Sequence, residues 1–199
     1  MAITHSQAAK QAATNAVVDL IDVGAGSNGT MEILDGATVL SVHNLTEPAF
    51  GAANASGVAT AATIADDASA NADGTADGWR LKDEDGAVIL TGQAGQKRAI
   101  TAVSTGSDTV TIAGDHTTEF AAGTDFNITG STGNDGGYTV ASVALDGGNT
   151  VITVEADQAI ANATADGYVH VGELGLDNTS ILTGQTVSVS ALTYQALRS

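Results

Sequence analysis

Hydrophobic and polar positions alternate in short bursts along most of the chain, and only the first two dozen residues depart from that period. Over residues 4–23 apolar side chains recur at helical spacing, with Ala8, Ala9, Ala12, Ala13, Ala16, Val17, Leu20 and Ile21 on one face. Thr4-His5-Ser6-Gln7 fits a capping box, in which the Thr4 hydroxyl accepts the N3 amide and Gln7 reaches back. Gly24 supplies the C-terminal stop. A face this rich in Ala suits close packing on a flat partner such as a sheet. Asp19 and Asp22 stand near the end of the helix, where the dipole mildly disfavours carboxylates.

From residue 30 onward the period is two. Strands are expected at 30–34 and 38–44, around Asp35-Gly36-Ala37, and at 78–82 and 87–90, around Asp83-Glu84-Asp85-Gly86. Further strands are expected at 100–104 and 109–112, around Thr105-Gly106-Ser107-Asp108, and at 125–129. The clearest hairpin joins 138–145 to 150–155 through Asp146-Gly147-Gly148-Asn149, residue types that tolerate the positive φ of tight turns. Residues 168–171 close this block, and 179–182 and 186–192 flank Thr183-Gly184-Gln185. In 38–44, Val39, Ser41 and His43 alternate with Leu40, Val42 and Asn44, the pattern of a half-buried strand. In 186–192, Val187, Val189 and Ala191 alternate with Ser188, Ser190 and Leu192. Residues 51–76 form a low-complexity tract with one weak strand at 58–64. Phe50, Phe120 and Trp79 read as core anchors, Trp79 in preference to a ligand-stacking role. One helix followed by strands a turn apart argues for a mainly β chain: an antiparallel β-sandwich or barrel-like unit with an N-terminal α-helix.

Composition narrows the function. Of 199 residues 43% are hydrophobic, but many are Ala and only 4% are aromatic, so the core is modest per residue. A chain of this kind leans on neighbours for stability. Twenty-three acidic against 6 basic residues give a net charge of −17. That disfavours direct nucleic-acid binding and anionic membrane surfaces, and suits a basic protein partner or divalent cations. With no Cys, disulfide and thiolate chemistry are excluded. No basic segment leads into an apolar run at the N-terminus, so no signal peptide is expected, and no apolar run approaches a membrane span.

No residue is assigned a catalytic, cofactor-binding or metal-binding role. Gly24-Ala25-Gly26-Ser27-Asn28-Gly29 matches G-x-G-x-x-G but follows a helix and precedes a strand, the reverse of the dinucleotide-binding context. His5, His43, His116 and His170 are far apart and lack zinc-ligand spacing. No nucleophile elbow is present. Asp66-Asp67 and Asp83-Glu84-Asp85 fall in turns and do not match the twelve-residue calcium loop, though weak calcium binding in such loops stays open. Asn44-Leu45-Thr46 matches a glycosylation triplet by composition alone.

The segments VVDLIDVGAG, EPAFGAANASGVATA, GWRLKDEDGAVILTG and LDNTSILTGQTVSVSALTYQA together resemble a family of small virion structural proteins of tailed bacteriophages. In shorter members of that family the segment like GWRLKDEDGAVILTG runs almost directly into the one like LDNTSILTGQTVSVSALTY. Here residues 97–172 lie between them, and that stretch resembles a small β-module that recurs in phage structural proteins. The resemblance implies a discontinuous outer β unit, residues 1–96 with 173–199, carrying an inserted all-β module at 97–172. It implies a capsid decoration or cement protein on the virion, made in the host cytoplasm, with the major capsid protein and neighbouring copies as partners. It brings no functional residue to a named position. The alternatives are a tail-associated virion protein (tube, terminator or fibre-linked), a calcium-binding cell-surface adhesion module, and a carbohydrate-active enzyme. Such an enzyme needs aromatic platforms and two placed carboxylates, and the one Trp and three Tyr are spread out.

Overall fold

A computed structural model describes residues 4–26 and 28–196. The chain is mainly β with one N-terminal α-helix, and it divides into two compact units. One is built from residues up to Gly92 together with those from Ser180 onward; the other is Gln93–Thr179.

In the first unit, α1 (Gln7–Val18) runs on as a 3-10 turn over Asp19–Asp22. Its cap is not the expected one. Ser6 is the N-cap, and its Oγ accepts the Ala9 amide at 3.2 Å, so the Thr4 box is not used. The buried face also differs from the Ala face expected. Thr14, Val18 and Ile21 are buried, while Ala8, Ala9, Ala12, Ala16 and Leu20 are exposed. Polar clamps decide this orientation. Thr14 Oγ1 donates to the Gly57 carbonyl at 2.7 Å and accepts the Ala196 amide at 3.0 Å. Asn15 Oδ1 accepts the Ala53 amide at 2.8 Å, and Gln11 donates to the Ala53 carbonyl. Ala methyls bury too little area to outweigh four such bonds together with Val18 and Ile21. Asp22, unfavourable to the dipole, accepts the Ala49 amide at 2.9 Å instead.

β1 (Thr30–Asp35) pairs antiparallel with β2 (Thr38–Asn44). After two short strands, β3 (Ala59–Thr60) and β4 (Gly74–Thr75), comes β5 (Gly78–Lys82), which pairs with the other side of β1. β6 (Val88–Gln96) lies beyond β5. Opposed pairs fix the faces: Met31 with Leu81 and Ile33 with Trp79 are buried, while Glu32 stands opposite Arg80 on the other side. The outer edge of β2 is closed by the strap 65–71, not by another strand. Asn71 and Ala65 amides donate to the Leu40 and Asn44 carbonyls, and the Val42 amide donates to Asp67 Oδ2 at 2.9 Å. An otherwise open edge is thereby blocked.

The second unit is a closed six-stranded barrel. β7 (Arg98–Ser104), β8 (Thr109–Ala113), β9 (Asp125–Thr129), β10 (Gly136–Asp146), β11 (Asn149–Val154) and β12 (Tyr168–Val171) close in the order β10-β11-β8-β7-β12-β9. Each ladder is antiparallel. Asp146 faces Asn149, and Gly147 and Gly148 both take positive φ, 56° and 82°, as a two-residue hairpin loop requires. Alternate residues fill the interior: Ile100, Val110, Ile112, Phe126, Ile128, Val140, Ile152, Val154 and Val169, with Phe120 and Ile160 from connecting loops. Phe126 meets Phe120 edge-on at 5.8 Å and stacks on Tyr138 at 5.7 Å. A barrel of this size is packed with side chains and holds no lumen. β13 (Leu174–Leu176) pairs with Ala94–Gln96 in parallel, a departure from the antiparallel scheme expected.

The chain then returns to the first unit, where the strand expected at 186–192 is not formed as one continuous element. Residues 186–192 do not form a strand in the sheet of β1, β2 and β5. β14 (Ser180–Ile181) pairs with β4, Val187 exchanges both backbone bonds with Asp67, and β15 (Thr193–Tyr194) pairs with β3. The period-two pattern is real, since Val187 and Val189 are buried. Its partner is the low-complexity tract 59–75, whose composition hides its pairing.

Candidate functional site

Cross-strand register brings Glu32 of β1 between Arg80 and Lys82 of β5. Glu32 Oε1 accepts from Lys82 Nζ at 2.7 Å, and Oε2 accepts from Arg80 Nε. Burial works to raise the Glu32 carboxyl; the hydrogen bonds from Lys82 and Arg80, and their charges, outweigh it and hold the group below its ordinary range. At neutral pH this is a fixed anion neutralised by two cations, with no proton to give. The alternation of Arg80 and Lys82 was readable along the strand. That Glu32 stands opposite was not, because register between distant strands is not written in either one.

Ser41 and His43 share one face of β2. Ser41 Oγ lies 3.1 Å from His43 Nε2, and His43 Nδ1 lies 2.9 Å from the Ala65 carbonyl. A carbonyl only accepts, so Nδ1 carries the proton and Nε2 accepts from the serine. That is the bonding of a nucleophile and its base. Both residues are fully buried, however, and the pair ties β2 to the strap 65–71. A substrate has no access to Ser41, and the arrangement is a satisfied core contact.

The remaining histidines stand apart. In the barrel unit His116 approaches Glu119 at 3.5 Å, and Glu119 also takes Arg98 at 2.8 Å. His170 of β12 is 1% exposed with Gly175 against its ring, and burial, with a smaller contribution from Lys97, holds it below its ordinary value. His5 is half-buried near the start of α1. Among the described residues no three His, Asp or Glu converge as a metal-holding group.

Carboxylates singled out in the sequence serve turns. Asp67 accepts the Val42 and Ser69 amides, and Asp83 Oδ1 accepts the Asp85 and Ala87 amides. Asp85 Oδ1 accepts the Ala25 amide at 3.1 Å, which brings the glycine motif against this acidic hairpin loop. A Cβ on Gly26 would meet the Glu84 carbonyl at 2.2 Å, so glycine is needed there for backbone contact. A phosphate at Gly24, Ala25 or Gly26 would face Glu84 and Asp85.

Two further features bear on what the surface can do. Arg80, Lys82, Lys97 and Arg98 are each tied to a carboxylate of the chain; Lys97 pairs with Asp177 at 3.4 Å and sits 5.9 Å over the Tyr168 ring. Leu20 and Val23, at the end of the helical segment, are 47% and 54% exposed. Sequence periodicity placed Leu20 on the buried face; the Thr14 clamp turns it outward. Among the described residues no helix is long and apolar enough to cross a membrane. No family model, no curated protein and no solved structure matches the chain.

Proposed function

We propose that the protein is a non-enzymatic structural component of a tailed-bacteriophage virion: a capsid decoration (cement) protein on the outer surface of the major capsid protein lattice. The observation that carries this reading is the charge arrangement. The chain bears −17, and Arg80, Lys82, Lys97 and Arg98 are neutralised by its own carboxylates. The exterior left over is acidic. It repels nucleic acid and anionic membranes and is complementary to a basic protein face. The segment resemblance to small phage virion proteins supplies the context. Binding to the assembled lattice and not to its parts stabilises the head by mass action, with neighbouring copies adding contacts on the lattice. The protein needs no cofactor or metal for this.

In the same reading the barrel is a module inserted into a sandwich-like host unit. Supporting it, the first and last strands of the barrel unit lie side by side. Ala94–Gln96 pairs with β13, and Gln93 exchanges bonds with Glu173, at 2.8 Å to its carboxylate and 3.0 Å from its amide. A module whose ends meet can be grafted into a loop without disturbing its host.

Cryo-electron microscopy of the particle that carries the chain tests the reading. Many copies arrayed over the shell are expected. A stack or ring along the tail moves the protein to a tail role, and particles without the chain overturn the virion assignment.

A further inference from the structure

The outward turn of α1 leaves an apolar ridge that the core does not use. Ala12, Ala16, Leu20 and Val23 are all exposed and follow one another at four, four and three residues, so they line one side of the helix and its 3-10 extension. The helix itself, Gln7–Val18, contains no acidic residue, although the chain carries 23. Acid returns at the far end of the ridge, first at Asp19 and Asp22 of the 3-10 turn and then in the 83–86 loop. Gly24 and Gly26 are pressed against Glu84 and Asp85, with the Ala25 amide on Asp85 Oδ1. An apolar strip therefore ends in a carboxylate rim, the layout of a protein docking surface with an apolar centre and a polar edge.

Charge decides what covers it. A second copy would bring another −17, and four of its six basic residues, Arg80, Lys82, Lys97 and Arg98, are held by internal carboxylates and do not answer Glu84 and Asp85. We infer that the ridge from Ala12 to Val23, with the 83–86 loop as its rim, docks on a folded protein surface that offers an apolar socket edged by Lys or Arg. The inference rests on the reading of the chain as a component docked on a viral shell, and it assigns the contact to the helical end of the first unit and not to the barrel.

The experiment uses shells grown without this chain and recombined with the purified full-length protein. Binding is read by co-sedimentation over a salt series. The double variant Leu20→Asp, Val23→Asp touches only exposed side chains, and its thermal midpoint checks that it folds. It is expected to lose at least about tenfold in affinity, the effect of about 1.4 kcal/mol. Glu84→Lys is expected to weaken binding several-fold and to flatten the salt dependence. Leu145→Asp at the barrel hairpin, where Leu145 is 52% exposed, is expected to bind as the unaltered chain does. Undiminished binding of the folded double variant, or loss of binding with Leu145→Asp alone, overturns this inference and leaves the virion reading standing. Failure of the unaltered chain to bind overturns both.

Discussion

The barrel unit and the first unit are both built from short strands, yet they are held together by different means. In the barrel every strand has two neighbours, and alternate side chains such as Val110, Ile112, Phe126, Ile128 and Ile152 meet in one interior. In the first unit three principal strands are finished by loops and termini. There, polar side chains reach across dozens of residues to backbone groups: Thr14 to Gly57 and Ala196, Asp67 to Val42, and Asp73 to Thr183 at 2.6 Å. Closure leaves the barrel strands no open edge, so its long-range polar bonds, such as Asp108 to the Ile160 amide at 2.9 Å and Thr150 to the His116 amide at 2.8 Å, fasten connecting loops to it. An open sheet with a modest core must satisfy its edges one hydrogen bond at a time.

The largest expected effect breaks the barrel. Phe126→Ala removes a ring that touches both Phe120 and Tyr138 and should cost about 3–5 kcal/mol. Chemical denaturation separates the units when Trp79 emission, which reads the first unit, is compared with far-ultraviolet dichroism, which reads both. The barrel component of the dichroism transition should move while the Trp79 transition stays. Equal movement of both would mean that the units melt as one.

Glu32→Gln is the corresponding change in the first unit. It leaves Arg80 and Lys82 without their anion, and because both cations are partly exposed the cost should be about 2 kcal/mol. Here the Trp79 transition should shift. Thr14→Val, which keeps shape and loses two hydrogen bonds, should cost about 1–2 kcal/mol, with Thr14→Ser recovering most of it. If Thr14→Val is neutral, the polar-clamp account of the first unit is wrong.

Acid separates the units more finely. Burial holds His170 below its ordinary value, so as pH falls the unfolded chain takes up this proton first. The barrel is therefore at full stability above about pH 6.5 and weakens as the pH drops below it. Glu32 is also held low, but as an acid. Its contribution is present above the ordinary carboxylate range and is lost only as pH falls through its depressed value. Urea midpoints between pH 7.5 and 5.5 should fall more for the barrel transition than for the Trp79 transition, and His170→Gln should reduce the difference. The smallest effect is Trp79→Phe. The indole N–H is buried with no hydrogen-bond partner among the described residues, so the change forfeits only packing and should stay within about 1 kcal/mol.

Strand 125–129 and strand 168–171 were legible residue for residue, as were 38–44 and 78–82, because each has a period of two and meets a Gly, Asn or Asp at its C-terminal end: Gly130, Gly172, Asn44 and Asp83. The Gly147-Gly148 turn was legible for the same local reason. The helix was legible in place, was expected to start three residues too early, and was misread in orientation. Its Ala stripe is the more regular pattern, but Thr14 is the residue with partners 43 and 182 positions away. Of the surface argued to dock, Glu84 and Asp85 could be seen as an acidic turn, whereas the exposure of Leu20 could not.

What the sequence by itself determined is therefore local: where strands and turns fall, that one helix opens the chain, and that its surface is acidic. These follow from backbone preference and side-chain period, which act over a few residues. Only the tertiary structure decided that six strands close into a barrel, that residues 186–194 pair with 59–67 and not with the main sheet, and that the Ala face of α1 looks outward. Each of those rests on a register or a hydrogen bond between segments far apart in the chain, and such pairings are chosen by the sum of all contacts at once.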